Sequence, residues 1–333
     1  MRFAVLTMNP GIDRVLYFKE PMRPGKMNRA YRSVTSQGSK GANVAIMLRR
    51  LGFDVVHYSF TGGFYGKLSE DILKKEKVEC RYTPAACGIR VNTKVIDGKG
   101  VCTELNEEGG PVTREETAAL LEDFLSDPAE TVFISGSFPQ GVEKSVYKSL
   151  TAVEKERGRN VILDCAGEAL TQAVVSRPDI IKPNIDEMLG LLDSLGMGKT
   201  LSPECEKDPA SVSAACGKLA AAYRIGRVIC TLGENGAVEN RLTGGNSADG
   251  GEPLTESVFA PAVRVRMKGF SGAGDCFLAA FGAAVYGFGM KDADALRFAS
   301  ACGAAKVRLS GTLLPTAKSV YSLFSETDNH GDR

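Results

Sequence analysis

Apolar residues fall along this chain in short runs, separated by longer stretches in which they recur every three or four positions. Residues 3–7 read as a buried strand. Residues 41–51 (GANVAIMLRRL) read as a helix with Val44, Met47, Leu48 and Leu51 on one face. The pattern continues with strand 55–60, helix 68–75, strand 131–135, helix 142–156 and strands 161–164 and 180–181. Helices 187–195 and 214–223 and strand 228–231 follow. From 276 to 286 almost every residue is apolar or small, so that helix should be buried. Alternation of this kind predicts an α/β fold, a mostly parallel central sheet with helices on both faces.

Ligands in such folds bind beyond the carboxyl ends of the strands. That is where the chain carries Asn9-Pro-Gly, Ser135-Gly-Ser137, Asp164, Lys182-Pro-Asn184 and Thr231-Leu-Gly233. Two stretches break the rhythm, at about 13–36 and 86–108, and read as extended segments. Arg90 to Ile96 alternates at period two, Asp97-Gly98 makes a hairpin turn, and residues 101–105 return. These insertions predict a small accessory sheet, a lid, on one domain spanning 1–333. Residues 240–256 read as a polar, glycine-rich, mobile surface loop.

Composition narrows the function. With 43% hydrophobic and 24% charged residues the chain is globular rather than disordered. Its net charge of +1 argues against nucleic-acid and membrane-surface partners, which require a clear excess of cations. The nine cysteines are scattered without a CxxC pair, which predicts reduced thiols in a cytoplasmic protein rather than a zinc site. The apolar run at the start is too short for a signal peptide or a membrane span. The two histidines are His57 and His330, so acid–base chemistry should rest on carboxylates or lysine.

Several motifs could carry chemistry. GFSGAGDCF (269–277) places small residues at 271–274 before the apolar helix. A helix N-terminus entered that way leaves backbone N–H groups free to bind an anion, typically phosphate. Asp275 at its mouth can accept a proton from an attacking hydroxyl, or it can be a helix cap. QGSKGAN (37–43) lets a ligand approach its glycines and offers Lys40 and Asn43; it is equally a loop leading into a helix. Arg90, Asn92 and Lys94 share one strand face, two cations and an amide that suit a phosphate or sugar, or a solvated surface. Asp13 could hold two hydroxyls of a polyol or sit in a turn. Asn184 and Glu187, three apart, suit either capping or a contact to metal-bound water and phosphate. GMGKT (196–200) lacks the earlier glycine of a P-loop, and no GxGxxG follows the first strand, which disfavours a dinucleotide site.

Taken in order, TMNPGID (7–13), GSKGANVA (38–45), RVNTK (90–94), SGSFPQG (135–141), LDCAGEAL (163–170), KPNIDE (182–187), TLGENGA (231–237) and GFSGAGDCF resemble the ribokinase-like, phosphofructokinase-B family of sugar kinases. The likeness runs from Thr7 to about Tyr321. NPGID, PGKMNR (24–29), RVNTK and TELN (103–106) are most similar to the 1-phosphofructokinase and tagatose-6-phosphate kinase branch. Two departures are Ser39, where the family usually has glycine, and Cys276 after the signature aspartate.

The resemblance implies a ribokinase-like fold and transfer of the ATP γ-phosphoryl group to a ketohexose monophosphate, fructose 1-phosphate first. The alternatives are a tagatose-6-phosphate or 6-phosphofructokinase, a kinase of uncharged sugars or nucleosides, and a non-catalytic sugar-phosphate sensor. It implies Asp275 as base and the N–H groups of Gly272, Ala273 and Gly274 as the phosphoryl cradle. Asp13, Gly38 and Asn43 would hold sugar hydroxyls. Lys26, Lys40, Arg90 and Ser137 would meet the sugar phosphate, with Arg29 and Lys94 as further candidates. Lys182, Thr231, Gly233 and Gly236 would line the nucleotide site. Mg²⁺ would be held mainly through ATP and waters, near Asn184 and Glu187. A homodimer through the lid strands is the expected assembly.

Overall fold

The computed structural model describes every residue except 199–200, 202–203, 245–253, 270 and 329–333. The strands are β1 (Arg2–Thr7), β2 (Gly11–Tyr17), β3 (Arg32–Gln37), β4 (Asp54–Thr61), β5 (Glu79–Pro84), β6 (Arg90–Ile96), β7 (Cys102–Asn106), β8 (Thr131–Ser135), β9 (Asn160–Asp164), β10 (Ile180–Ile181), β11 (Arg227–Thr231), β12 (Ala237–Gly244) and β13 (Leu254–Ala260). The helices are α1 (Lys40–Arg50), α2 (Gly63–Lys75), α3 (Arg114–Ser126), α4 (Val146–Glu156), α5 (Glu168–Ala173), α6 (Ile185–Ser194), α7 (Pro209–Tyr223), α8 (Ala273–Gly282), α9 (Asp292–Val307) and α10 (Ala317–Asp328).

A nine-stranded sheet runs β13-β12-β11-β10-β9-β8-β1-β4-β5. It is parallel from β11 to β5, with β12 and β13 added antiparallel at one edge. The interior positions of β1, β8 and β9 are apolar on both faces because both faces are covered. Leu6, Val132, Ile134, Val161 and Leu163 face a core shared with Leu120, Tyr147, Met188 and Leu219. Their neighbours Phe3, Val5, Phe133 and Ile162 face the opposite core with Met47, Leu278, Phe281 and Phe298. The period-two alternation of each strand thus separates the two helical layers. Helix α8 is buried from Asp275 to Gly282. It lies so close to the sheet that a Cβ on Gly282 would stand 2.8 Å from Ile162 Cδ1.

A second sheet, ordered β3-β2-β6-β7, shares no strand with the first. It arises from the two segments whose pattern broke the α/β rhythm. Its hairpin closes as predicted at Asp97, whose carboxylate accepts the N–H groups of Lys99 and Val101.

Four expectations change. The helix expected over 68–75 begins at Gly63, and that over 214–223 begins at Pro209, where Asp208 caps the first turn. The helix expected over 142–156 begins only at Val146. The loop expected over 240–256 is strand at 240–244 and 254–256, because β12 and β13 pair as a hairpin; residues 245–253 lie outside the described set. The pattern does not reveal helices α3, α5, α9 and α10 or strand β5. The GMGKT stretch at 196–200 runs into positions outside the described residues, where His330 also lies.

Candidate active site

Gly272 has φ +84°, the left-handed region, and turns the chain into α8 without a side-chain cap. The first N–H groups of a helix have no intrahelical partner, so residues 273–275 present uncompensated donors there. Asp275 is the third residue of α8, not its cap. Its Oδ2 instead accepts from Asn43 Nδ2 at 2.8 Å. The residue as a whole is 8% exposed. Burial, and then Asp164, push it up to about 6, against the pull of Asn43, Lys40 and Lys182.

Asp164 ends β9 and gathers cations. Its Oδ1 lies 3.2 Å from Lys40 Nζ and 3.9 Å from Lys182 Nζ. Burial raises its carboxyl, but the two ammonium groups outweigh that and hold it below the usual range. Lys40 is in turn raised, chiefly by Asp164, and stands 3.8 Å from Glu187 Oε1. Lys182 Nζ would be 3.3 Å from a Cβ on Gly274, so its charge adjoins the helix N-terminus.

The small sheet supplies the other wall. Asp13 on β2 accepts from Asn92 Nδ2 at 3.2 Å and pairs with Lys94 Nζ at 3.0 Å. A Cβ on Gly38 would overlap the Asp13 carboxylate and the β2 backbone, so that position admits only glycine. Arg90 Nη1 donates to the Glu107 carbonyl at 3.0 Å. Ser137 is exposed on the loop after β8, with its Oγ 3.1 Å from Asn9 Nδ2.

Several buried polar atoms around this cleft have no protein partner: Ser39 Oγ, Asn43 Oδ1, Arg90 Nε, Asn92 Oδ1 and Asp164 Oδ2. Buried polar groups are ordinarily satisfied. Their concentration between the small sheet and the N-termini of α1 and α8 marks a seat for a polar ligand.

The remaining sequence candidates divide. Asn184 and Glu187 form a reciprocal capping box at α6, with bonds of 2.8 and 2.9 Å. That occupies Asn184 Oδ1 and one oxygen of Glu187. Thr231 N donates to the Pro183 carbonyl at 3.1 Å, which brings the end of β11 beside Asn184. Gly233 and Gly236 follow in a tight turn with φ +59° and +108°. Lys26 lies exposed in the β2–β3 connection, where its carbonyl accepts from Asn28 Nδ2 at 2.9 Å. Lys40, expected at the sugar phosphate, pairs with Asp164 and stands near Glu187. Ser39 has extended backbone, φ −108°, that any residue adopts, so its replacement of glycine imposes no strain here. Asp164 and Ser271, to which the resemblance gave no role, also stand in the site, as do Asn92 and Lys94 of the β6 face. The strand-end position of Asp164 and the period-two face of β6 were the available signals.

Among the described residues no group of three or more His, Cys, Asp or Glu side chains gathers as a metal cage. The orphaned Asp164 Oδ2 and Glu187 Oε1 are hard oxygen donors that fit a divalent cation held through waters.

A model of the pfkB family of carbohydrate kinases matches residues 7–318. The chain belongs to that family. It is 28% identical to the 1-phosphofructokinase of Haloferax volcanii over 317 residues, 95% of this chain and 94% of that protein. It is 30% identical to the Bacillus subtilis 1-phosphofructokinase over 184 residues, 55% of this chain and 60% of the relative. A tagatose-6-phosphate kinase of Staphylococcus epidermidis is 31% identical over 192 residues, 56% of this chain and 61% of the relative. These last two matches span less than two thirds of the relatives' lengths.

Escherichia coli phosphofructokinase-2 in complex with substrates and products superposes with a TM-score of 0.86 at 23% identity, covering 98% of this chain and 100% of the other. Thermotoga maritima ribokinase gives 0.73 at 19% identity over 97% and 99%. The fold is therefore ribokinase-like, as the motifs implied. Among the described residues no helix is long and apolar enough to cross a membrane.

Proposed function

We propose that this kinase transfers the γ-phosphoryl group of ATP to fructose 1-phosphate, giving fructose 1,6-bisphosphate and ADP, in the cytoplasm. The observation that carries the reading is the buried Asp275 carboxyl at the uncapped N-terminus of α8, bonded to Asn43, with Lys94 of the small sheet reaching Ser271 at the same turn. Relatives named 1-phosphofructokinase support the choice of sugar. The relative named tagatose-6-phosphate kinase supports the second reading, a ketohexose 6-phosphate acceptor.

Asp13, Gly38 and Asn43 hold the sugar hydroxyls. Arg90, Ser137 and, from its exposed loop, Lys26 meet the phosphate the substrate already carries. Asp275 takes the proton of the acceptor hydroxyl as its oxygen bonds to the γ-phosphorus and the bond to the ADP oxygen breaks. The transition state of such a transfer is loose, so placement and charge neutralisation outweigh base strength. The N–H groups of Gly272, Ala273 and Gly274 meet the charge on the equatorial oxygens. Lys40 and Lys182, both held by Asp164, flank the transferring group. Lys182, Thr231, Gly233 and Gly236 line the nucleotide side. A hydrated Mg²⁺ near Asp164, Asn184 and Glu187 would neutralise the β- and γ-phosphates. The small sheet acts as a lid that excludes water, and through it two copies pair.

A coupled ATP assay across fructose 1-phosphate, fructose 6-phosphate, tagatose 6-phosphate, ribose and adenosine tests the reading. Turnover highest on fructose 1-phosphate is expected. Binding of sugar phosphates without ATP turnover on any of them would make the chain a sensor.

A further inference from the structure

Lys94 belongs to the small sheet, yet its side chain leaves that sheet. It is 8% exposed. Its ammonium lies 3.0 Å from Asp13 Oδ2 on β2 and 3.7 Å from Glu104 Oε1 on β7. It also donates to Ser271 Oγ. Ser271 stands immediately before Gly272, the residue that turns the chain into α8. A lysine ammonium carries three N–H donors; Ser271 Oγ and the Asp13 carboxylate lie within hydrogen-bond distance, and Glu104 stands at ion-pair distance. Arg90 and Asn92 on the same strand face keep buried polar atoms without protein partners, whereas the Lys94 ammonium is engaged by two carboxylates and a hydroxyl. The strand-face pattern grouped the three residues together; the contacts separate Lys94 from the other two.

We propose that Lys94 is a positioning residue that makes phosphoryl transfer conditional on the sugar's seat, by tying Asp13 to Ser271 at the mouth of the cradle. The proposal rests on the phosphotransfer reading of Asp275. The carboxylate meant for sugar hydroxyls and the turn meant for the phosphoryl group lie on different sheets and loops, with no strand pairing between the two sheets. A charge shared by both makes the alignment of one depend on the other. Lys94 and Asn92 each take one oxygen of Asp13, so the carboxylate's plane is fixed before a sugar arrives. The grip on Ser271 fixes the approach to Gly272 in the same way.

A second link crosses the same border. Lys306 on α9 is fully buried, and its Nζ donates to the Gly311 carbonyl at 2.8 Å. Thr312 hydrogen-bonds Ser36 of β3. A Cβ on Gly311 would lie 2.9 Å from the Tyr17 hydroxyl of β2, and one on Gly272 would lie 3.6 Å from Lys306 Cε. The small sheet is thus joined to the glycine turn through Lys94 directly and through residues 306–312 behind it.

The test measures sugar-dependent turnover and sugar-independent ATP hydrolysis for the wild-type chain, Lys94→Met, Ser271→Ala and the double variant. Lys94→Met is expected to lower sugar-dependent kcat/KM at least tenfold, leave KM for ATP within about twofold, and lower the ratio of sugar-dependent to sugar-independent turnover at least tenfold. A general loss of folded protein lowers both activities together and leaves that ratio intact. Ser271→Ala should move the ratio in the same direction. The double variant should resemble Lys94→Met rather than multiply the two effects, because residues acting through one contact are not additive. Should Lys94→Met fail to fold, Ser271→Ala keeps the lysine's charge paired with Asp13 and answers the question alone. An unchanged ratio in Ser271→Ala, or a Lys94→Met loss confined to KM for the sugar phosphate, overturns the proposal and leaves the kinase reading standing. A wild-type chain inert on every sugar overturns both.

Discussion

Asn43 Nδ2 donates to Asp275 Oδ2 at 2.8 Å, so the first turn of α1 holds a side chain of the first turn of α8. The bond favours the charged carboxylate, against burial and the nearby Asp164, which push the group up to about 6. A base must be deprotonated to act. kcat should therefore rise with pH up to about 6 and level off above it. Asn43→Leu removes the donor, so its acidic limb should move to higher pH. Matching pH profiles of kcat for the two proteins would exclude this control of Asp275.

Asp275→Asn separates chemistry from folding. Loss of a general base costs about 10²–10⁴ in kcat, and nucleotide affinity measured by calorimetry should survive. The stability effect has the opposite sign. A carboxyl raised from 3.8 to about 6 binds its proton more tightly in the folded chain, so stability falls as pH climbs between those values. Above pH 6 the penalty is fully present, on the order of 3 kcal/mol. The asparagine variant escapes it and should melt higher than wild type at pH 8, with the gap closing towards pH 4. A lower Tm at pH 8 would mean the carboxylate is stabilised where it sits.

The sequence pattern made the parallel sheet legible because its central strands are apolar on both faces and end in polar residues. The glycine turn at 272 was legible for a related reason: small residues there have no packing role before an apolar helix. Helix α9 was not legible, since its alanines make every face equally apolar. Strand β12 was hidden because its buried Glu239 pairs with Arg227, and a charged pair reads as surface until the fold encloses it. The direction of Lys40 was equally out of reach. Its spacing from Asn43 is local, whereas Asp164 arrives from 124 residues away.

Gly38 tests the sugar wall without touching charge. A Cβ there overlaps the Asp13 carboxylate and the β2 backbone, so Gly38→Ala must shift that stretch of β2 and with it Asp13 relative to Asn92 and Lys94. KM for the sugar phosphate should rise at least tenfold, corresponding to about 1.4 kcal/mol, while KM for ATP stays within about twofold. Equal changes in both constants would mean that Asp13 does not face the sugar.

Arg90 should report the phosphate already on the substrate. Its Nη1 is committed to the Glu107 carbonyl, while its Nε is buried with no protein partner. Burial lowers the guanidinium's pKa, with Asp13 and Glu107 opposing, yet an arginine stays charged at any working pH. A desolvated cation with an unmet donor is placed to bind an anion strongly. Hydrogen bonds to charged groups are worth about 1.5–3 kcal/mol, so Arg90→Ala should raise KM for fructose 1-phosphate roughly 10–100-fold. KM for ATP should stay nearly constant, and binding of unphosphorylated fructose, measured by competition, should be little changed. If fructose and fructose 1-phosphate weaken by the same factor, Arg90 shapes the sugar seat through Gly11 and Asp13 and does not contact the phosphate.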